Sequence, residues 1–237
     1  MKIITEKSPN YSKIPRFKED IRFIIIHYTG MQSTIASLKR LKDIRSKVSC
    51  HYLINRKGKV FQMVKENRIA WHAGKSKWKN FRNLNKSSIG IELVNKGHEF
   101  GYENFPKLQI NSLIVLCKRL KKEYKILDKN FLGHSDIAPL RKIDPGEKFP
   151  WEKLSKFKLG TWYDINKDTL SAVEKKKIKN SFFKNLFKIG YRYFKINKRI
   201  KKDVFVVKAF QNRYLPQKAT GKINIKTLKI SHYLANH

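Results

Sequence analysis

Arg22-Phe23-Ile24-Ile25-Ile26-His27-Tyr28 is the stretch on which the reading of this chain turns. It is apolar and rich in β-branched residues, and it ends on a histidine. Such a run predicts a strand buried on both faces. Downstream, Ser33 is placed to cap a helix carrying Ile35, Leu38, Leu41 and Ile44 at helical spacing. His51 to Ile54 and Val60 to Val64 flank Asn55-Arg56-Lys57-Gly58, which predicts a hairpin. Trp71 to Leu84 reads as a long loop, because its Trp, Gly and Asn content opposes a regular element. Ser88 to Asn95 alternates around Ile89, Ile91 and Leu93, a second strand. Leu108 to Tyr124 sets Leu113, Leu116, Cys117 and Leu120 on one face of an amphipathic helix. Phe131-Leu132-Gly133-His134 ends a further strand, followed by a loop stiffened by Pro139, Pro145 and Pro150. Strands interleaved with helices predict an α/β fold, with a central mixed β-sheet flanked by helices. From Leu159 to Lys179 the pattern weakens and lysine crowds in, which marks a boundary. Beyond Phe182, three short apolar segments predict a small three-helix module.

Composition narrows the function classes. With 237 residues and 41% hydrophobic content, a packed core is expected. No apolar run reaches the roughly 20 residues a transmembrane helix needs. The N-terminus, Met1-Lys2-Ile3-Ile4-Thr5-Glu6-Lys7, shows no secretory signal. Cys50 and Cys117 are too few for a disulfide scaffold and belong to no CxxC pair, so two buried thiols are expected. The net charge of +36 invites a polyanionic partner. Yet the 54 basic residues are mostly lysine and are spread along the whole chain. Clustered arginine, or aromatic residues interleaved with basic ones, would mark a nucleic-acid reader. No specific nucleic-acid partner is therefore expected. Two readings of the charge stand together: a solvated, self-repelling surface, and attraction to an anionic envelope surface or acidic substrate.

Three residues suggest chemistry. His27 and His134 each end a predicted strand, and Asp144 follows ten residues after His134 in the proline-rich loop. Two imidazoles and one carboxylate form a common zinc set with an open fourth position. Each also has a plainer explanation. A strand-end histidine is more often hydrogen-bonded within the structure, and an Asp before Pro-Gly is more often a turn former. Spacing alone leaves both readings open.

Several motifs in order resemble the type-2 N-acetylmuramoyl-L-alanine amidases, which share a fold with peptidoglycan recognition proteins. They are Ile24-Ile25-Ile26-His27-Tyr28-Thr29, Ser49-Cys50-His51-Tyr52-Leu53-Ile54, Trp71-His72-Ala73-Gly74, Ser88-Ile89-Gly90-Ile91-Glu92, and Gly133-His134-Ser135-Asp136-Ile137-Ala138-Pro139 running on through Arg141-Lys142-Ile143-Asp144-Pro145-Gly146. The His27-Tyr28-Thr29 run and a second module after the first are similar to the AmiD branch. The resemblance implies Zn2+ held by His27, His134 and Asp144, with Glu92 as the catalytic glutamate and Lys142 as the catalytic lysine. Glu92 would then move the proton and Lys142 would face the oxyanion. Tyr28, His51, Trp71 and His72 become candidates for substrate contact. For His51 a packed strand histidine is favoured over a pocket residue, and for Trp71 and His72 loop packing competes evenly. The implied substrate is peptidoglycan or a muropeptide, cut at the amide between the lactyl group of N-acetylmuramic acid and L-alanine.

The resemblance also divides the chain: residues 1–165 as a zinc amidase domain, 166–180 as a lysine-rich linker, and 181–237 as a peptidoglycan-binding-like helical module. Asn185 to Tyr191, Val206 to Tyr214 and Gly221 to Leu228 are similar to that module's segments. Val206, Val207, Phe210 and Leu228 would close its core. Asn224 stands where the module usually has Asp, which bears on ligand binding more than on fold. Two rivals compete with the enzyme: a non-catalytic peptidoglycan receptor of the same fold, and a basic nucleic-acid-binding protein. For location, a wall-binding module argues for periplasm or envelope, and the missing signal argues for cytoplasm.

Overall fold

Ile24, Ile25 and Ile26 have no solvent exposure, because helices cover both faces of the strand that carries them. A computed structural model of the chain describes residues 2–167 and 169–237. Met1, at the start of the expected 1–165 domain, and Asp168, within the expected 166–180 linker, lie outside the described residues. In chain order the strands are β1 (Ile3–Thr5), β2 (Tyr11–Ser12), β3 (Phe23–Tyr28), β4 (Tyr52–Ile54), β5 (Val60–Gln62), β6 (Ile69–Ala70), β7 (Lys77–Trp78), β8 (Phe81–Arg82), β9 (Ser88–Leu93) and β10 (Phe131–Gly133). The helices are α1 (Thr34–Lys42), α2 (Lys107–Tyr124), α3 (His134–Ile137), α4 (Trp151–Ser155), α5 (Ala172–Lys176), α6 (Ile178–Ile189), α7 (Asp203–Tyr214) and α8 (Ile225–Asn236).

The main sheet has six strands in the order β1-β5-β4-β9-β3-β10. Only the β4–β5 hairpin is antiparallel, so the sheet is mixed, as expected. Alternation along β3 sends Ile24 and Ile26 to one face and Phe23 and Ile25 to the other. Ile24 and Ile26 share an apolar cluster with Leu113, Leu116, Cys117 and Leu120 of α2. Phe23, Ile25 and Leu132 share a second cluster with Phe182, Phe183, Val206, Phe210 and Leu228 of the C-terminal helices. Those helices thus cover a face of the sheet as well as packing on one another.

Two expectations need correcting. Ile35 and Ile44 of the first helical pattern are 79% and 67% exposed. Only Ser37 and Leu41 of α1 are buried, and Ile44 falls beyond the Asp43 cap in a short 3-10 turn. The helix is too short for its apolar positions to form one inward stripe. The Trp71–Leu84 segment is not a plain loop. It holds the β7–β8 ribbon, which buries Trp78 against Tyr191 at a ring separation of 4.9 Å. Both cysteines are free thiols and buried. Among the described residues no helix is long and apolar enough to cross a membrane.

Candidate active site

Three neighbouring parallel strands end at one crevice. His27 of β3 is the register partner of Glu92 of β9, and Ile26 is the partner of Gly133 of β10. His134, the next residue, therefore enters the same row. Partners in parallel strands point to the same face, so His27 and Glu92 project together. Ligands of open α/β sheets bind outside the carboxyl ends of such strands. The backbone N–H of Ser135 donates to the Asp144 carbonyl oxygen at 2.9 Å, which folds the proline-rich loop back over α3. The Tyr102 hydroxyl donates to the Pro145 carbonyl at 2.5 Å. Gly146 adopts φ +81°, and a Cβ there would lie 2.6 Å from the Tyr102 hydroxyl, so glycine is required.

The three expected ligand residues converge. His27 Nδ1 lies 3.0 Å from His134 Nδ1, and each lies 3.1 Å from Asp144 Oδ2. The other ring nitrogens are committed elsewhere. His134 Nε2 donates to the Ala73 carbonyl at 3.2 Å, a carbonyl that Arg141 also engages. His27 Nε2 donates to His72 Nδ1 at 3.0 Å. His72 Nε2 then reaches Ser88 Oγ at 3.2 Å, and that hydroxyl donates to the Leu84 carbonyl at 2.5 Å. This chain leaves both Nδ1 atoms as lone-pair donors beside a carboxylate oxygen. Three electron-rich atoms held this close repel one another unless a cation lies between them. Ligands at 2.0 to 2.1 Å around a tetrahedral zinc sit about 3.3 Å apart, close to the spacing seen here. The donor set thus fits a small divalent cation with an open fourth position.

Electrostatics favour the same arrangement. Burial, then the neighbouring His134, lowers His27 to about 4, so its imidazole is neutral and able to ligate. Burial alone would raise Asp144. The two imidazoles beside it, His134 first and then His27, outweigh burial and hold the carboxyl well below the usual range. Glu92 is lifted to about 8, first by burial and then by Asp144, with Lys142 opposing. Its Oε2 is buried without a hydrogen-bond partner among the described residues, and Glu92 lines the cleft over the site. A cation at the three ligands would draw this carboxyl down, adding to the pull of Lys142.

A cleft of about 560 Å³ opens over these groups. Tyr28, Trp71, His72, Glu92 and Lys142 all line it. Trp71 is 36% exposed. His72 reaches the cleft but is also wedged behind His27, and a Cβ on Gly90 would lie 2.4 Å from its ring. His51 is fully buried behind His72 and does not line the cleft. Gly90 N–H donates to its Nδ1 at 3.0 Å, and its Nε2 lies 3.0 Å from the Arg68 carbonyl. Of its two readings, the packed strand histidine matches this placement. Sequence reasoning missed Ser88, Arg141 and the Ala73 carbonyl, which contact the His72 and His134 rings of the cluster. A backbone carbonyl leaves no mark in a sequence.

The model of the family described as N-acetylmuramoyl-L-alanine amidase matches residues 17–147, the span that holds every residue of this site. The chain belongs to that amidase family. The AmiD amidase of Escherichia coli is 33% identical over 90% of this chain and 82% of its own length. Its structure with the substrate anhydro-N-acetylmuramic acid-L-Ala-D-γ-Glu-L-Lys superposes with a TM-score of 0.78 at 31% identity, covering 95% of this chain and 91% of that one. AmpDh3 of Pseudomonas aeruginosa gives a TM-score of 0.80 at 30% identity and 96% coverage of both chains. Both amidases match through the C-terminal helices. The AmpD enzyme of Haemophilus influenzae, named a 1,6-anhydro-N-acetylmuramyl-L-alanine amidase, is 33% identical over 62% of this chain and 87% of its own length.

Proposed function

We propose that this amidase is zinc-dependent and hydrolyses the amide between the lactyl group of N-acetylmuramic acid and the L-alanine of the stem peptide. The observation that carries the reading is the triangle of His27 Nδ1, His134 Nδ1 and Asp144 Oδ2, with sides of 3.0 to 3.1 Å. A bound Zn2+ would polarise the scissile carbonyl and acidify a water, lowering its pKa from about 15.7 towards about 7. Glu92 accepts the proton of the attacking water as the C–O bond forms. Lys142 places its ammonium towards the oxyanion of the tetrahedral intermediate. When the C–N bond breaks, Glu92 returns the proton to the departing amine, leaving a lactyl carboxylate and a free stem peptide. Tyr28 and Trp71 line the cleft as substrate contacts, and His72 supports His27 from behind.

Residues 1–165 would carry this chemistry, and 181–237 would hold the chain to its polymer, raising local substrate concentration. Muropeptides and peptidoglycan both present the bond, and the stem peptide's carboxylates suit a basic protein. The test is a digest of whole sacculi and of soluble anhydro-muropeptides, with and without chelator, read by mass spectrometry. Chelator-sensitive release of free stem peptide is expected. Metal-loaded protein that binds sacculi and cuts neither substrate would sink the enzyme reading in favour of a receptor.

A further inference from the structure

The turn that carries His134 is gripped by the C-terminal helices. Asp136, two residues on, is 1% exposed, and its carboxylate is fully engaged. Its Oδ2 accepts from the Gly133 N–H at 2.8 Å and from Arg213 Nη1 at 2.6 Å. Its Oδ1 accepts from the Tyr191 hydroxyl at 2.6 Å. Arg213 Nη2 donates to the Phe131 carbonyl at 3.0 Å. The guanidinium lies over the Trp151 ring, 4.0 Å from its centroid. Arg213 sits on α7 and Tyr191 just beyond α6, and they are 4% and 1% exposed. The fork of Arg213 therefore spans β10 and α3, on either side of His134.

The geometry points to Arg213 and Tyr191 as positioning residues for the active site: the C-terminal helices set the orientation of the His134 imidazole through Asp136. A carboxylate and a guanidinium this deeply buried stabilise only weakly for the cost of dehydrating them. What a planar two-pronged donor does well is fix direction. The direction fixed here is that of the strand-to-helix turn whose first helical residue is His134. Tyr191 holds the second oxygen, so the carboxylate cannot rotate. The C-terminal helices then serve the reaction directly, beyond any affinity for polymer. The inference rests on the metal role proposed for His134.

The experiment uses the full chain and measures zinc affinity by chelator competition beside thermal stability. Arg213→Met is expected to weaken zinc binding on the order of tenfold, as removal of a supporting residue does at other metal sites. Tyr191→Phe removes one hydroxyl, leaves the charges intact, and is expected to weaken zinc by a smaller factor. It carries the test should Arg213→Met fail to fold. Arg213→Lys keeps the charge but cannot span Asp136 and Phe131 together. It is expected to recover stability while zinc affinity stays low, a split that a purely structural role would not give. Leu228→Ala, a cavity in the same helices away from Asp136, is expected to lower the melting temperature and leave zinc affinity unchanged. Parent-like affinity in Tyr191→Phe and in folded Arg213→Met or Arg213→Lys would overturn the inference while leaving the metal reading intact. So would an equal loss in Leu228→Ala. A parent chain that binds no zinc would remove the metal reading and this inference together.

Discussion

Four histidines sit close together behind the cleft, and they fall into two pairs. His27 and His134 are buried, at 1% and 3% exposure, and so are His51 and His72, at 0% and 9%. Burial does not separate them. In the first pair one ring nitrogen is tied back, to His72 or to the Ala73 carbonyl, and Nδ1 is aimed at Asp144. In the second pair both nitrogens have partners within the protein, so neither offers a lone pair to the cleft. The proposed ligand histidines are thus marked by the Nδ1 atom each turns to Asp144. The second pair does the holding, since His72 engages His27 Nε2 and so turns Nδ1 towards Asp144, as the proposed ligand role requires.

The largest effect expected from this contrast is at a proposed ligand. His134→Ala should lose both metal and turnover, and elemental analysis of the purified protein beside the muropeptide digest would check it. A variant that kept a full equivalent of zinc would break the assignment. Glu92→Ala should retain zinc and lose about 10²- to 10⁴-fold in kcat, the range typical of proton-transfer groups. Near-parent turnover by the zinc-loaded variant would remove Glu92 from the chemistry. His72→Ala should fold, keep its three ligands and bind zinc about 10- to 100-fold more weakly, measured against a competing chelator. Unchanged affinity there would show that His27 does not need its support.

The smallest effect is a pH dependence at His51. Burial, then Arg16, holds its pKa well below the ordinary value of 6.5, so the native state keeps it neutral. Below that pH the unfolded chain takes up a proton that the folded chain refuses. The stability this histidine contributes is therefore present above about pH 6.5 and declines as pH falls, by up to about 1.4 kcal/mol per pH unit. Urea unfolding of the parent and of His51→Gln between pH 8 and pH 5 would read the slope. Equal slopes in the two proteins would show that His51 does not contribute it.

Much of this architecture was legible in the residues. The β3 run, the Ser33 cap, the β4–β5 hairpin, β9 and α2 are written in local patterns, because period and capping are properties of short segments. Val206, Val207, Phe210 and Leu228, read as a core, are all buried. The exposed Ile35 and Ile44 show the limit: helical spacing marks an apolar stripe, and only the neighbouring elements decide what covers it. The β7–β8 ribbon was invisible because two-residue strands carry too little pattern.

The sequence by itself determined the alternation of strands and helices and the family, and through that resemblance singled out His27, Glu92, His134, Lys142 and Asp144 as candidates. The tertiary structure alone decided that His27 meets His134 and Asp144, each more than a hundred residues away, within 3.1 Å, since strand register brings β3, β9 and β10 into one row. It alone decided which nitrogen of each histidine stays free, because the partners that settle this are a backbone carbonyl and a neighbouring ring. It alone placed Arg213 against Asp136, across 77 residues, because a buried charge takes its partner from whatever the folded chain brings alongside.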